Sequence, residues 1–329
     1  MLKGLILKRG RMDKKYYIGV DLGGSFIKAG IVDEAGNIIA DEKSETNSEL
    51  GNIAIIDKIC FIVNKLIDEN KVDKKEIIGV GLGVPGLVDS QKGIAILSHN
   101  LNFNNFPISK KLETKLNLKV KISNDANVAT LAETLYGAGK GYKNVVMLTL
   151  GTGVGGGAVV DGKLMQGVNG YGAEFGHTVI EYDGRQCSCG RKGCLEAYCS
   201  ATALINQTKK AMLSNKNSQM WKIGDINLVD GKTPFNYQKS DKVAQEIVEK
   251  YINYLVCGLT NIANVFRPNI IVLGGGISNQ KEGLYDALNE KLEKQIFGSE
   301  IVQSIKVVPA MLKNKAGILG AASLFFCKL

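Results

Sequence analysis

Three chemically distinct motifs follow one another in residues 150–196 of this 329-residue chain, and they constrain its fold more than any other feature. Residues 151–157, GTGVGGG, follow an apolar run and predict a strand, a glycine-rich turn and a returning strand at 158–160. Residues 174–177, EFGH, add a carboxylate and an imidazole. Residues 187–196, CSCGRKGCLE, add a loop with three cysteines. The fold therefore has to hold a glycine turn, two polar side chains and a thiol cluster in one short segment.

Two further glycine turns follow apolar strands. One comes after residues 17–21, which end in Asp21, and a second strand at 27–32 follows it; the other is Gly274-Gly275-Gly276. Glycine lets backbone N–H groups wrap an oxyanion without a side chain in the way. The turn at Gly151 is not a dinucleotide-binding fingerprint, because a strand follows it where that motif has a helix. The three turns together favour a site for nucleotide phosphates, and the repeated strand-turn-strand pattern suggests two related lobes.

Two aspartates stand at the ends of predicted strands. Asp21 suits either Mg²⁺, which prefers carboxylate and water ligands, or stabilisation of its own turn. Asp125 follows the strand at 119–123 and precedes a helix at 126–136, so it suits either a helix cap or a general base facing a ligand crevice. Asn124 beside it would orient a hydroxyl group.

The cysteines predict a zinc site. His177, Cys187, Cys189 and Cys194 form a closed set of four ligands, which is typical of a structural metal rather than a catalytic one. The alternative is a group of buried free thiols. A glycine-rich, charged loop is unlike core packing, and this favours zinc.

The remaining pattern predicts an α/β fold in which strands alternate with amphipathic helices. A loop region that contains residues 98–101 is expected after Pro85-Gly86, a helix over residues 195–212, and an irregular surface segment over residues 214–240. A long helix is expected to end at Arg267-Pro268, and a terminal helix begins at Ala316.

Composition excludes several classes. The net charge of +9 comes from scattered lysines, with no basic arm that would indicate nucleic acid. Seven cysteines, mostly clustered, argue against a disulfide framework. No secretory signal precedes residue 16, and no unbroken apolar span is long enough for a membrane. We expect a cytoplasmic protein without membrane or nucleic-acid partners.

These motifs resemble the ROK family, which comprises repressors, open reading frames and kinases, and specifically its bacterial glucokinase-type sugar kinases. The string CxCGxxGCxE is the most specific part, and the turns at Asp21 and Gly274 agree with it. The resemblance implies an actin-like ATPase (ribonuclease H-like) fold with two lobes and a cleft. We expect a disordered tail over residues 1–15, a small lobe of residues 16–123 plus 312–329, and a large lobe of residues 124–311 with the zinc loop.

The resemblance also implies roles for individual residues, with Asp125 as the catalytic base. The residues expected to bind the sugar are Asn124, Asp125, Glu174, His177, Glu196, Gly86 and Asn100. Those expected to surround ATP and Mg²⁺ are Asp21, Gly23, Gly24, Ser25, Lys28, Gly151, Thr152, Gly153 and Gly275. Lys28 is implied only by the resemblance, because the residues alone indicate an ordinary strand lysine. Structural Zn²⁺ is assigned to His177, Cys187, Cys189 and Cys194.

The expected activity is ATP-dependent phosphorylation of glucose at the 6-hydroxyl, by a homodimer or homotetramer. Repressors of the family carry an added helix-turn-helix domain, for which the roughly dozen residues before the first strand are too few. Phosphorylation of N-acetylmannosamine, fructose or a related hexose is the nearest alternative. A non-enzymatic sugar sensor is the alternative from another functional class.

Overall fold

Two five-stranded mixed sheets form the frame of the protein, and the computed structural model describes residues 14–302 and 304–326. The strands, in chain order, are β1 (Tyr16–Leu22), β2 (Phe26–Asp33), β3 (Ile38–Glu45), β4 (Ile77–Val84), β5 (Leu87–Asp89), β6 (Ile94–Ser98), β7 (Phe103–Phe106), β8 (Val120–Asn124), β9 (Val145–Leu150), β10 (Val154–Val160), β11 (Lys163–Leu164), β12 (Ile270–Gly274) and β13 (Lys306–Pro309).

The helices alternate with these strands, as the α/β prediction requires. They are α1 (Asn52–Glu69), α2 (Ile108–Leu116), α3 (Asp125–Tyr136), α4 (Glu196–Cys199), α5 (Ala201–Ser214), α6 (Thr233–Tyr237), α7 (Lys242–Phe266), α8 (Lys281–Glu293) and α9 (Ala316–Ser323). Within the described ranges, no helix has the length and apolar character needed to cross a membrane. The tail predicted over residues 1–15 lies, except for residues 14 and 15, outside the described residues.

The two large sheets have the same strand order and strand directions. In the order β3-β2-β1-β4-β8, strand β1 is antiparallel to β2 and parallel to β4. In the order β11-β10-β9-β12-β13, strand β9 is antiparallel to β10 and parallel to β12. Each sheet thus contains a hairpin with a glycine turn, and parallel strands continue the sheet from the first strand of that hairpin. The predicted internal repeat is present in the topology.

The prediction of a loop region after Pro85-Gly86 is wrong. Strands β5, β6 and β7 form a separate three-stranded antiparallel sheet there, and α2 follows. The strands contain only three, five and four residues. Runs this short do not establish a hydrophobic period, so the sequence pattern could not distinguish them from loop.

The glycine turn after β9 is shorter than predicted. Residues 151–153 make the turn, and β10 already begins at Val154. The glycines at 155–157 lie inside the strand because α3 and the segment at Phe175 approach its backbone closely. A Cβ on Gly157, for example, would overlap the Thr130 hydroxyl group. These glycines therefore allow neighbouring segments to pack against the strand and do not form the turn.

The single helix predicted over residues 195–212 is divided into α4 and α5. Ser200 has an extended backbone conformation and caps α5, with its hydroxyl accepting a hydrogen bond from Ala203 N–H at 3.1 Å. Helical periodicity continues through this break, which is why the pattern missed it. The segment predicted as irregular at 214–240 contains short helical turns and α6.

Helix α9 lies directly on the backbone of the first sheet. Gly30, Gly19 and Gly81 are in register on β2, β1 and β4, and together they form a flat row. A Cβ on Gly19 or Gly81 would overlap a backbone carbonyl oxygen of α9, and one on Gly30 would crowd the Ile318 side chain. On its other side, α9 approaches the backbone of α3 equally closely. Helix α9 is thereby fixed against strands β1, β2 and β4.

Separate apolar cores lie beneath the two sheets. One joins β1, β4 and β8 to α1 and α2, and the other joins β9 and β12 to α5, α7 and α8. Helix α3 packs against α9 as well as β10, so it contacts both halves. The lobe boundaries given above stay predictions.

The glycine row predicts that Gly81→Ala will destabilise the protein strongly, because the new methyl group would overlap the Ala321 carbonyl oxygen. We expect a loss of about 3 kcal/mol in the free energy of unfolding, measured by chemical denaturation. The matched control is Gly83→Ala in the same strand, where the nearest atoms to a new Cβ are Val128 side-chain carbons at 3.5 Å. Equal stability of the two variants would show that the row does not require glycine.

Candidate active site

Asp125 occupies the point where β8 ends and α3 begins. Water reaches its side chain, yet the surrounding protein desolvates the carboxylate, and this is the main reason that its pKa is raised to about 6. The negative charges of Asp21 and Glu174 raise the pKa further, whereas a hydrogen bond from Ala126 N–H, 2.9 Å long, opposes the increase. At neutral pH the carboxylate is about nine-tenths ionised. It is therefore placed and charged as a proton acceptor.

Asn124 is held rigidly beside this carboxylate. Its side-chain oxygen caps α3 by accepting hydrogen bonds from Ala126 N–H at 2.8 Å and Asn127 N–H at 3.3 Å. Its amide nitrogen donates to the Gly86 carbonyl at 2.9 Å. Gly86 has a left-handed backbone conformation, with φ of 98°, that suits glycine. Asn124 is therefore the main N-cap of α3, rather than Asp125. The Asp125 carboxylate accepts a hydrogen bond from Ala126 N–H.

Asp21 lies across the hairpin from Lys28. The two residues are in register on β1 and β2, and Lys28 Nζ lies 3.4 Å from Asp21 Oδ2. The backbone of Gly317, at the start of α9, passes so close to Asp21 that a Cβ there would overlap its carboxylate. The structure thus pairs Lys28 with Asp21, a contact that the sequence pattern did not reveal.

The first glycine turn is fixed by its own backbone and by Thr46. Gly23 N–H donates to the Phe26 carbonyl at 2.9 Å, and the Thr46 hydroxyl donates to the Gly23 carbonyl at 2.7 Å. Gly24 lies against Asn100, because a Cβ on Gly24 would be 3.2 Å from Asn100 Cβ. The turn that contains Ser25 therefore lies beside a residue predicted to bind the sugar.

The second glycine turn is tied to the cysteine loop by Glu196. One carboxylate oxygen of Glu196 accepts a hydrogen bond from Val154 N–H at 3.0 Å, and the other accepts one from the Ser188 hydroxyl at 2.8 Å. The Gly151 carbonyl accepts a hydrogen bond from Ala201 N–H at 2.8 Å. The Thr152 carbonyl accepts one from the Thr202 hydroxyl, also at 2.8 Å. The turn carbonyls are thus engaged by α5.

A cavity of about 440 Å³ opens between the third glycine turn and the loop before α9. Gly275 has a left-handed backbone, with φ of 85°, and a Cβ there would overlap the Leu150 backbone. The polar residues that line the cavity are Glu133, Thr149, Ser278, Asn279, Lys313 and Asn314. The sequence pattern identified only the glycine turn at residues 274–276 here. The polar lining residues come from separate segments without a motif, so topology alone brings them together.

Glu174 and His177 lie on one short helical turn below β10. Buried Phe175 between them packs against the Gly156 backbone and meets the Phe266 ring at 5.4 Å, which fixes the turn. Desolvation raises the pKa of Glu174, as does the nearby charge of Glu196, whereas His177 lowers it. Glu174 also acts electrostatically on Asp125. These carboxylates therefore face a common region.

The four predicted zinc ligands converge. The ligand atoms of His177, Cys187, Cys189 and Cys194 all lie within 4.8 Å of one another. The distance from Cys187 Sγ to His177 Nδ1 is 3.7 Å, and so is the distance from Cys189 Sγ to Cys194 Sγ. A tetrahedral zinc with Zn–S bonds of about 2.3 Å separates its sulfur ligands by about 3.8 Å, so the donor set fits this metal.

Comparison with known proteins places this arrangement in a family. Residues 17–327 match the family model described as the ROK family. A glucokinase of Thermotoga maritima is 37% identical over 316 residues, covering 95% of this chain and 98% of the relative. A glucokinase of Halalkalibacterium halodurans is 35% identical over 312 residues and covers 94% of each chain.

The same result comes from a solved structure. A ROK family glucokinase from Streptomyces griseus, crystallised with glucose and AMPPNP, matches with a TM-score of 0.78 at 33% identity. The match covers 94% of this chain and 98% of that one. The fold is accordingly the two-lobed, actin-like fold of ROK sugar kinases, as predicted. On the evidence of sequence and fold together, this chain belongs to the ROK family.

Proposed function

We propose that this protein is an ATP-dependent glucokinase, which transfers the γ-phosphoryl group of ATP to the 6-hydroxyl of glucose. Its relatives at 35–37% identity are glucokinases, and the Streptomyces griseus relative binds glucose and a nucleotide analogue. The observation that carries the proposal is Asp125, a solvent-reached carboxylate at a strand end whose pKa is about 6. An ionised carboxylate of this basicity suits proton acceptance from an alcohol at neutral pH.

Phosphoryl transfer needs the sugar oxygen and the phosphorus atom in line. The O6–P bond forms while the bond from the γ-phosphorus to the bridging oxygen breaks, and ADP leaves. Asp125 accepts the proton of the 6-hydroxyl. Helix α3 holds Asp125 through its first turn, which the Asn124 cap fixes. Positioning of this kind supplies much of the rate enhancement in phosphoryl transfer.

The sugar would lie between Asp125 and the turn that carries Glu174 and His177. His177 directs Nδ1 at Cys187, which leaves its other ring nitrogen for a sugar hydroxyl. Glu174 is solvent-exposed and has no side-chain hydrogen bond within the described residues, so its carboxylate is open to a ligand. Glu196 uses both carboxylate oxygens within the protein, so its share in sugar binding requires one oxygen to accept a second hydrogen bond.

The nucleotide would lie across the three glycine turns. The backbone N–H groups of Gly24, Ser25, Thr152 and Gly153 would meet phosphate oxygens, because those of Gly23 and Gly151 already donate within their turns. The cavity beside Gly275 would hold the nucleoside end. Lys28 would add positive charge beside the phosphates. Asp21 is the residue placed to hold Mg²⁺, which neutralises phosphate charge when bound.

Asp125→Asn should lower kcat by about 1,000-fold or more, because an amide cannot accept the proton. The amide oxygen can still accept the hydrogen bond from Ala126 N–H, so we expect binding of glucose and Mg-ATP, measured by calorimetry, to persist. The matched control is Asp161→Asn on an exposed turn, whose left-handed backbone asparagine tolerates. A kcat within about threefold of the original would remove Asp125 from the role of base.

The raised pKa of Asp125 also sets the acid limb of the activity. The group is protonated below about pH 6 and ionised above it, so log(kcat/KM) for glucose should decline as the pH falls through about 6. The charge of Glu174 contributes to the shift, so Glu174→Gln should move the midpoint to lower pH. A profile that stays flat down to about pH 5 would contradict this assignment.

We further propose that His177, Cys187, Cys189 and Cys194 hold a structural zinc ion. Zinc requires deprotonated thiols, and the backbone N–H of Arg191 is the main cause that lowers the pKa of Cys189. Desolvation raises the pKa of Cys187 and raises that of Cys194 to about 12, so the charge of the metal would have to offset these increases. A metal at this place would fix the loop that presents Ser188 to Glu196, and it would set the orientation of the His177 ring.

Cys189→Ser should remove about one equivalent of zinc per chain and lower the melting temperature by about 5 °C or more, because the closed ligand set is broken. Zinc content is measured by elemental analysis and melting by calorimetry. Cys257→Ser, the same substitution on α7 outside the cluster, serves as the control and should keep the metal. The site is refuted if the original protein, expressed with added zinc, contains none.

Glucose is preferred in this proposal because the most similar relatives named above are glucokinases. The same polar groups would accept N-acetylmannosamine or fructose, so the choice among hexoses depends on those relatives. A non-enzymatic sensor would not need a carboxylate poised at Asp125. The expectation of a homodimer or homotetramer stays a prediction.

A further inference from the structure

Glu133, near the end of α3, is one of the polar residues that line the cavity beside Gly275, and the reaction described above gives it no role. Glu133 is fully buried, and its two oxygens accept three backbone hydrogen bonds. The donors are Ala138 N–H at 2.9 Å, Met311 N–H at 3.1 Å and Leu312 N–H at 2.7 Å. Within residues 14–302 and 304–326, no ion pair joins Glu133 to a basic side chain. A buried carboxylate is costly unless its oxygens are hydrogen-bonded, so these three contacts are what make its burial tolerable.

Two of the three donors belong to the loop that forms a wall of the nucleotide cavity. Met311 and Leu312 directly precede Lys313 and Asn314, which line the cavity together with Ala310. Lys313 has a left-handed backbone, with φ of 49°. A residue other than glycine keeps such a conformation only where neighbouring contacts hold it. Glu133 holds the two residues directly before Lys313 from α3.

The same helix carries the proposed base at its other end. Asp125 is the first residue of α3, and Glu133 follows eight residues later, about 12 Å along the helix axis. Helix α3 thus connects Asp125, the proposed base, with the loop at Met311 and Leu312 that borders the cavity. Building on the proposed function, we propose that Glu133 is a positioning residue that fixes the wall at Met311 and Leu312 relative to Asp125, and so sets the affinity for ATP.

Glu133→Gln tests the proposal with little change in shape. One carboxylate oxygen becomes an NH₂ group, which faces backbone N–H donors instead of accepting from them, so at least one anchor of the loop is lost. We expect KM for ATP to increase about tenfold, the size expected for loss of one hydrogen bond to a charged group. KM for glucose should change less than about twofold, because the contacts of Asn124, Glu174 and His177 are untouched.

Asp241→Asn is the matched control. Asp241 is also a buried carboxylate that accepts backbone N–H groups, from Met220 and Val243, but it caps α7 away from the cavity. Both substitutions should lower stability, and only Glu133→Gln should alter KM for ATP. An equal effect of the two variants on KM for ATP, or an unchanged value in Glu133→Gln, would overturn the proposal. If Glu133→Gln does not fold, Glu133→Asp is the second variant, because it keeps the charge but withdraws it by one methylene. It should also increase KM for ATP and leave KM for glucose nearly unchanged.

Calorimetric titration with Mg-ADP separates this inference from the proposed function. The affinity for Mg-ADP should weaken about tenfold in Glu133→Gln, in parallel with KM for ATP. If the original protein binds Mg-ADP but phosphorylates no sugar, the kinase assignment fails while the titration still decides the role of Glu133. An unchanged Mg-ADP affinity in an active, folded Glu133→Gln variant would refute the positioning role alone.

Discussion

The contact between α9 and the glycine row of the first sheet is the constraint on which the rest of the structure depends. Gly30, Gly19 and Gly81 have no side chains to hold α9 away, so the helix reaches backbone contact with β1 and β4. Its own Gly320 allows the same closeness to α3, where a Cβ would overlap the Val128 carbonyl. Because α3 begins with Asp125, the packing of a C-terminal helix determines where the proposed base lies.

Helix α3 then carries this constraint to both parts of the proposed active site. At its start, Asp125 faces Asp21 and Glu174 closely enough for their charges to raise its pKa. Near its end, Glu133 holds the loop that borders the cavity beside Gly275. The loop of residues 187–196 completes the arrangement, since Glu196 links Ser188 to the backbone of the second glycine turn. The second glycine turn and the thiol cluster are thus connected by hydrogen bonds as well as by proximity in sequence.

Much of this arrangement could be predicted from the sequence where local chemistry is distinctive. Buried strands that end in glycine, and a cysteine cluster with metal-ligand spacing, do not need tertiary information to be noticed. The role of residues 155–157 could not be predicted, because a glycine that turns the chain and one that accepts a neighbouring helix look alike in sequence. Glu133 was missed for a related reason: its partners Met311 and Leu312 lie far along the chain and contribute only backbone groups. The resemblance to the ROK family supplied Lys28, whose partner across the hairpin became visible only with the strand register.

The proposed phosphorylation of glucose is tested most directly by ADP release with Mg-ATP across a panel of glucose, N-acetylmannosamine, mannose and fructose. We expect kcat/KM for glucose to exceed that for each other sugar by about tenfold or more, and phosphorus NMR to identify the product as the 6-phosphate. Preferred turnover of another hexose would contradict the choice of substrate. Sugar binding without ADP release from any member of the panel would contradict the kinase itself and favour a sensor.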